Sequence, residues 1–125
     1  MQATAEVKAG IFDIEQKEDT IIVVPNLDLR ELDYQRIEEG ASRIFDLLND
    51  TGVKNVVLDF YKTDYYGSTA LGFFVKLWKR VSHRSGRMAF CNVSDHEREI
   101  LQITKLDQLW PLCSSRREAL DLVGK

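Results

Sequence analysis

Cysteine and proline are scarce in this 125-residue chain, with two of each, and there are only seven glycines. Cys91 and Cys113 lie in apolar contexts without C-x-x-C spacing. They are expected to be reduced core residues of a cytoplasmic protein rather than a staple or a metal clasp. Two histidines, His83 and His96, lack any H-E-x-x-H context, so no metal site is expected. No long apolar run occurs: Ala70–Val75 stops at Lys76, and Met1–Lys17 has neither a basic head nor an apolar stretch. Neither membrane insertion nor a signal peptide is expected. An excess of basic charge is also missing. The formal net charge is −3, which argues against direct DNA binding through the whole surface. What remains is 44% hydrophobic and 30% charged, the composition of one folded unit spanning residues 1–125.

The order of elements follows from periodicity. Ile11–Gln16 and Thr20–Val24 are short β-branched runs that read as a hairpin or two adjacent strands. Leu32–Leu48 is helical, with Ile37, Ala41, Ile44, Leu47 and Leu48 on one face. Val53–Phe60 is apolar on both alternating faces and suits a central strand. Tyr61–Gly67 is a polar and aromatic loop, Ser68–Ser82 a second helix, and Arg87–Val93 another strand. Ser94 with Glu97, and Ser115 with Glu118, have the spacing of capping boxes that open two further helices. Leu109–Leu112 is a final strand that Pro111 restricts to an edge. The order β-β-α-β-α-β-α-β-α predicts an α/β fold with parallel pairs joined by right-handed crossovers.

Catalytic chemistry is hard to find. Gly67-Ser68-Thr69-Ala70-Leu71-Gly72 has two glycines at phosphate-loop spacing, but Phe73-Phe74 stands where Lys and Ser or Thr are required. The segment also lacks a G-x-S-x-G elbow. Asp59 and Asp64 flank the end of the central strand as a phosphorelay receiver would want. The receiver's acidic pair and late lysine are absent. No enzyme, cofactor or metal centre is expected.

The segment Asn55-Val56-Val57-Leu58-Asp59-Phe60, followed by Thr63-Asp64-Tyr65-Tyr66-Gly67-Ser68-Thr69-Ala70-Leu71-Gly72, resembles the STAS domain, the family of sulphate-transporter and anti-sigma-factor-antagonist modules. Glu31-Leu32-Asp33 is similar to the family's segment before its first helix. The likeness continues in order through Arg87–Asn92, Ile103–Asp107 and Ser115–Leu120. It implies a small mixed β-sheet with helices packed mainly on one side. It also implies a partner-switching regulator of transcription and signal transduction. Such an antagonist binds a kinase-type anti-sigma factor, is released by phosphorylation at Ser68, and is reset by a phosphatase. Thr69 is the fallback acceptor. The alternative is a non-phosphorylated STAS scaffold or a transport-complex subunit.

Two departures stand out: Gly67 occupies the place of the usual Asp, and Ala70 that of the usual Gly. Asp64, three residues earlier, is the expected substitute carboxylate. The partner surface is expected to comprise Asp64, Gly67, Ser68 and Thr69, with Phe73 as an exposed aromatic anchor between Arg80 and Arg84. Ser68 itself, preceding an apolar-periodic run, reads as the N-cap of its helix. Gly72 is expected to serve close packing inside that helix. Charge is unevenly spread. Residues Asp13–Asp50 carry eleven acids and four bases, whereas Tyr65–Ser94 carry five bases and no acid. That basic stretch is expected to steer an acidic partner and to help hold a phosphate at Ser68.

Overall fold

A computed structural model describes residues 4–50 and 52–125, with side chains from residue 10 onward except 50. Six strands form one sheet in sequential order: β1 (Thr4–Ala9), β2 (Phe12–Lys17), β3 (Thr20–Pro25), β4 (Asn55–Asp59), β5 (Met88–Cys91) and β6 (Leu112–Cys113). The first three are antiparallel neighbours, and β3 to β6 pair in parallel. Helices α1 (Tyr34–Asp50), α2 (Ser68–His83) and α3 (Asp95–Ile103) join the parallel strands, and α4 (Arg116–Val123) closes the chain. The mixed α/β sheet agrees with expectation.

Strand alternation divides the core in two. Ile21, Val23, Val56, Leu58, Met88 and Phe90 face the larger cluster, where α1, α2 and Leu101 of α3 pack. Ile22, Val24, Val57, Ala89 and Cys91 face the other side, where among the described residues α4 packs with Ala119 and Val123. Three helices on one face and one on the other explain why β4 is buried at every position.

Strand β1 was not expected. Its sequence, Thr-Ala-Glu-Val-Lys-Ala, has one β-branched aliphatic residue, and its place comes from backbone pairing with β2. The final strand is displaced by three residues from Leu109–Leu112. Residues Leu106–Gln108 form a 3-10 turn, and Pro111 precedes β6 while its carbonyl accepts from the Phe90 amide. Of the two expected capping boxes, that of Ser94 and Glu97 is complete. In α4 only half of it forms: Ser115 accepts from the Glu118 amide, while the Glu118 carboxylate accepts from the Ser114 amide instead.

The end of β3 and the end of β4 meet in the arrangement that builds the site. Both are C-terminal ends of parallel strands, so their loops emerge on the same edge of the sheet. Leu29 and Tyr66 form an isolated parallel bridge there, beyond the regular pairing.

Candidate functional site: the N-terminal end of helix α2

The Leu29–Tyr66 bridge fixes two loops against each other. The Leu29 amide donates to the Tyr65 carbonyl at 3.3 Å, and the Gly67 amide to the Leu29 carbonyl at 2.8 Å. Leu29 and Tyr66 are both buried, so apolar burial anchors the pair. The 60–67 loop is also tied to α3. Thr63 donates to Glu97 Oε2 at 2.6 Å, the Tyr66 hydroxyl to the Glu97 carbonyl at 2.9 Å, and Ser94 to the Asp64 carbonyl at 3.3 Å. Glu97 is fully buried, and desolvation raises its carboxyl above the ordinary glutamate range despite its bonds to Ser94 and Thr63. On the other flank, the Asp64 amide donates to Asp28 at 2.9 Å. Helix α2 therefore starts from a loop held on both sides.

Its N-cap is Gly67, with extended backbone and no side-chain cap, so Ser68 is the first helical residue rather than the expected cap. The reason is the Leu29 bridge, which keeps residue 67 in strand-like backbone. Ser68 is exposed and Thr69 half-buried. The Ser68 amide, one of the orphan donors of the first turn, donates to Glu31 Oε2 at 3.2 Å. Glu31 sits on a 3-10 turn, Glu31–Asp33, just before α1. The Tyr65 hydroxyl donates to the same carboxylate at 3.2 Å. Glu31's own amide first, then that of Ser68, hold its carboxyl below the ordinary range.

The expected substitute carboxylate, Asp64, is elsewhere. It is exposed and faces His96 Nδ1 at 3.9 Å, while Glu31 supplies the carboxylate at Ser68. Sequence reasoning missed Glu31 in this role because the contact spans 37 residues. The only signal was the Glu31-Leu32-Asp33 segment itself.

The aromatic anchor is also corrected. Phe73 is buried with 5% exposure, packed against Phe12 at 5.7 Å and edge-on to Phe45 at 6.0 Å. A projection of α2 onto the sheet leaves this flank open, but α1 lies beside α2 and covers it. The two arginines serve the same helix contact. Arg80 donates to Asn49 at 2.8 Å and lies over the Phe45 ring, and Arg84 donates to the Leu48 carbonyl. A groove of about 500 Å³ runs between α1 and α2, with Ser68 and Thr69 at one end and Lys76 and Arg80 further along. Glu38 and Asp46 line its α1 side, so the acidic and basic stretches of the sequence share this groove. The charge beside Ser68 is acidic, not basic as expected, because α2's basic residues begin two turns further along.

Asp59 does not behave as a receiver aspartate. It is buried, accepts from Arg116 Nε at 2.8 Å and from Asn92 at 2.9 Å, and Arg116 reaches on to Glu15 at 3.3 Å. Cys91 and Cys113 are free, buried and paired in register across β5 and β6. Among the described residues no cluster of His, Cys, Asp or Glu is placed to hold a metal, and no helix is long and apolar enough to cross a membrane.

Known proteins share this architecture. A Thermotoga neapolitana protein, named provisionally as an anti-sigma factor antagonist and homolog of TM1081, is 26% identical over 113 residues, covering 90% of this chain and 97% of its own. The crystal structure of TM1081 from Thermotoga maritima superimposes with a TM-score of 0.81 at 22% identity, covering 91% of this chain and 95% of that one. The Bacillus cell fate determinant SpoIIAA, solved in a phosphorylated form, gives a TM-score of 0.69 at 18% identity, with 90% and 98% covered. At these identities the structural likeness is one of fold. The family model described as the STAS domain matches residues 12–119, from the start of β2 into α4, and the chain belongs to the STAS domain family.

Proposed function

We propose that this protein is an anti-sigma factor antagonist, a cytoplasmic partner-switching regulator that binds a kinase-type anti-sigma factor and is released by phosphorylation of Ser68. The observation that carries the reading is the placement of Ser68: an exposed hydroxyl residue at the first position of a helix whose approach loop is clamped on both flanks. Family membership supports it, as do the antagonist name of the Thermotoga relative and the phosphorylated form in which SpoIIAA was solved. Thr69, half-buried, is the second acceptor.

The physical switch follows from charge. A phosphoserine brings about −2 charge and a tightly held hydration shell. In the free protein that group is solvated at a helix N-terminus, which favours anions. Under a docked partner it must be desolvated beside the Glu31 carboxylate, so the free form wins and the partner leaves. A phosphatase restores the binding form. The protein itself has no turnover in this reading, and ATP alone leaves its mass unchanged.

The alternative, a non-phosphorylated STAS scaffold or transport-complex subunit, is favoured by one observation: a carboxylate already occupies the helix end where the phosphate would form. Peptide mapping after incubation with the cognate kinase-type partner and magnesium-ATP separates the two. The antagonist reading expects one phosphoryl group on the Ser68 peptide, absent from Ser68→Ala. An unmodified chain favours the scaffold.

A further inference from the structure

The first turn of α2 is capped in an unusual way. An N-cap residue normally satisfies an early amide with its own side chain. Gly67 has none, and the carboxylate serving Ser68 comes from Glu31 on another loop. The fit is tight: a Cβ at position 67 would overlap the Glu31 carboxylate. A side chain at 67 and the Glu31 carboxylate in this position exclude one another. Gly67, a departure from the family pattern, and Glu31 therefore form a matched pair.

The turn that carries Glu31 is held lightly. Its root is the buried Leu29, but the turn has no buried residue of its own, and Leu32 is 94% exposed. Beyond the bridge at Leu29, its side-chain ties to the loop before α2 are the bonds of Glu31 to the Ser68 amide and the Tyr65 hydroxyl.

We infer that Glu31 is a detachable cap of α2, and that a phosphate on Ser68 evicts it and releases the Glu31–Asp33 turn together with the exposed Leu32. This rests on Ser68 being the modified residue. A phosphate at the first helical position seeks the same first-turn amides as the carboxylate, and the dianion repels it from within a few ångströms. Phosphorylation then changes the partner surface twice, by adding charge at Ser68 and by moving an apolar side chain next to it. In the unmodified protein the cap holds Leu32 in place for the partner.

Two measurements test this without any kinase. The first is a stability cycle of Glu31→Ala, Gly67→Asp and their combination, read as urea midpoints. Gly67→Asp is expected to lower the midpoint when Glu31 is present and to raise it when residue 31 is Ala, because the new Asp then caps the helix. An equal effect in both backgrounds overturns the inference. The second installs phosphoserine at position 68 during translation and reads backbone order by heteronuclear NOE. The values at Glu31 and Leu32 are expected to fall to those of Glu31→Ala, and unchanged values overturn the inference. Failure of the anti-sigma partner to phosphorylate the wild-type chain counts against the proposed function alone, since both measurements bypass that step.

Discussion

At the scale of single residues, the buried charges make the sharpest claims. Asp59 is nearly inaccessible, and Arg116 is its charged partner. Arg116→Ala leaves a buried carboxylate uncompensated, and such losses cost about 3 kcal/mol or more. Urea denaturation at neutral pH checks this; a midpoint within error of wild type would contradict it. Burial, and then the charge of Asp59, push the Cys91 thiol up to about 12, so native protein is expected to resist thiol reagents until it unfolds. Glu97 gives a pH signature. Its carboxyl titrates above 4.5 in the folded state because of burial, so the folded chain binds a proton more readily than the unfolded one. The stability Glu97 contributes is present below about pH 4.5 and is lost as pH rises through its folded value. Stability profiles of wild type and Glu97→Gln, which keeps the capping geometry, should diverge over that window with this sign. Individual roles of this kind were the least legible in the sequence. Ser68 stood out through the resemblance of its segment to the STAS family, and the apolar run after it marked only a helix start. Glu31, Arg116 and the burial of Phe73 depend on contacts far along the chain, which no local pattern encodes.

At the scale of elements, two glycines, one inside α2 and one just after it, separate packing from propensity. Gly72 was expected to serve close packing, but a Cβ there meets nothing within 4 Å. Gly72→Ala should therefore stabilise the protein by up to about 1 kcal/mol through helix propensity. Gly86, after α2, is the opposite case: a Cβ would overlap the Lys54 carbonyl oxygen, and Gly86→Ala should destabilise. Thermal melts of the pair distinguish the two. Leu58, fully buried in β4, should cost about 2–5 kcal/mol on truncation to Ala. Elements with a strong period were readable in advance: α1, α2, β4 and the Ser94 capping box all carry their own signal. Strand β1 was not, since its place depends on pairing with β2. Nor was the start of β6: Leu109–Pro111, which looked like strand, follow the 3-10 turn as irregular chain, and only Leu112 and Cys113 pair.

For the whole molecule, the sheet serves as a rigid platform, and its C-terminal edge gathers the loops before α1, α2 and α3 around one serine. The sequence pattern predicted the platform, and the family resemblance pointed to the serine. It misjudged the electrostatics, because the basic half of α2 shares a groove with acidic α1 instead of surrounding Ser68. The proposed switch therefore depends on the cost of adding a dianion beside Glu31 under a docked partner. The most direct test is calorimetric titration of the cognate kinase-type anti-sigma factor with unmodified protein, with Ser68→Ala and with phosphoserine at position 68. Unmodified protein and Ser68→Ala should bind alike, and the phosphorylated form at least about tenfold more weakly, a difference of about 1.4 kcal/mol. Equal affinity for the phosphorylated and unmodified forms would contradict the account.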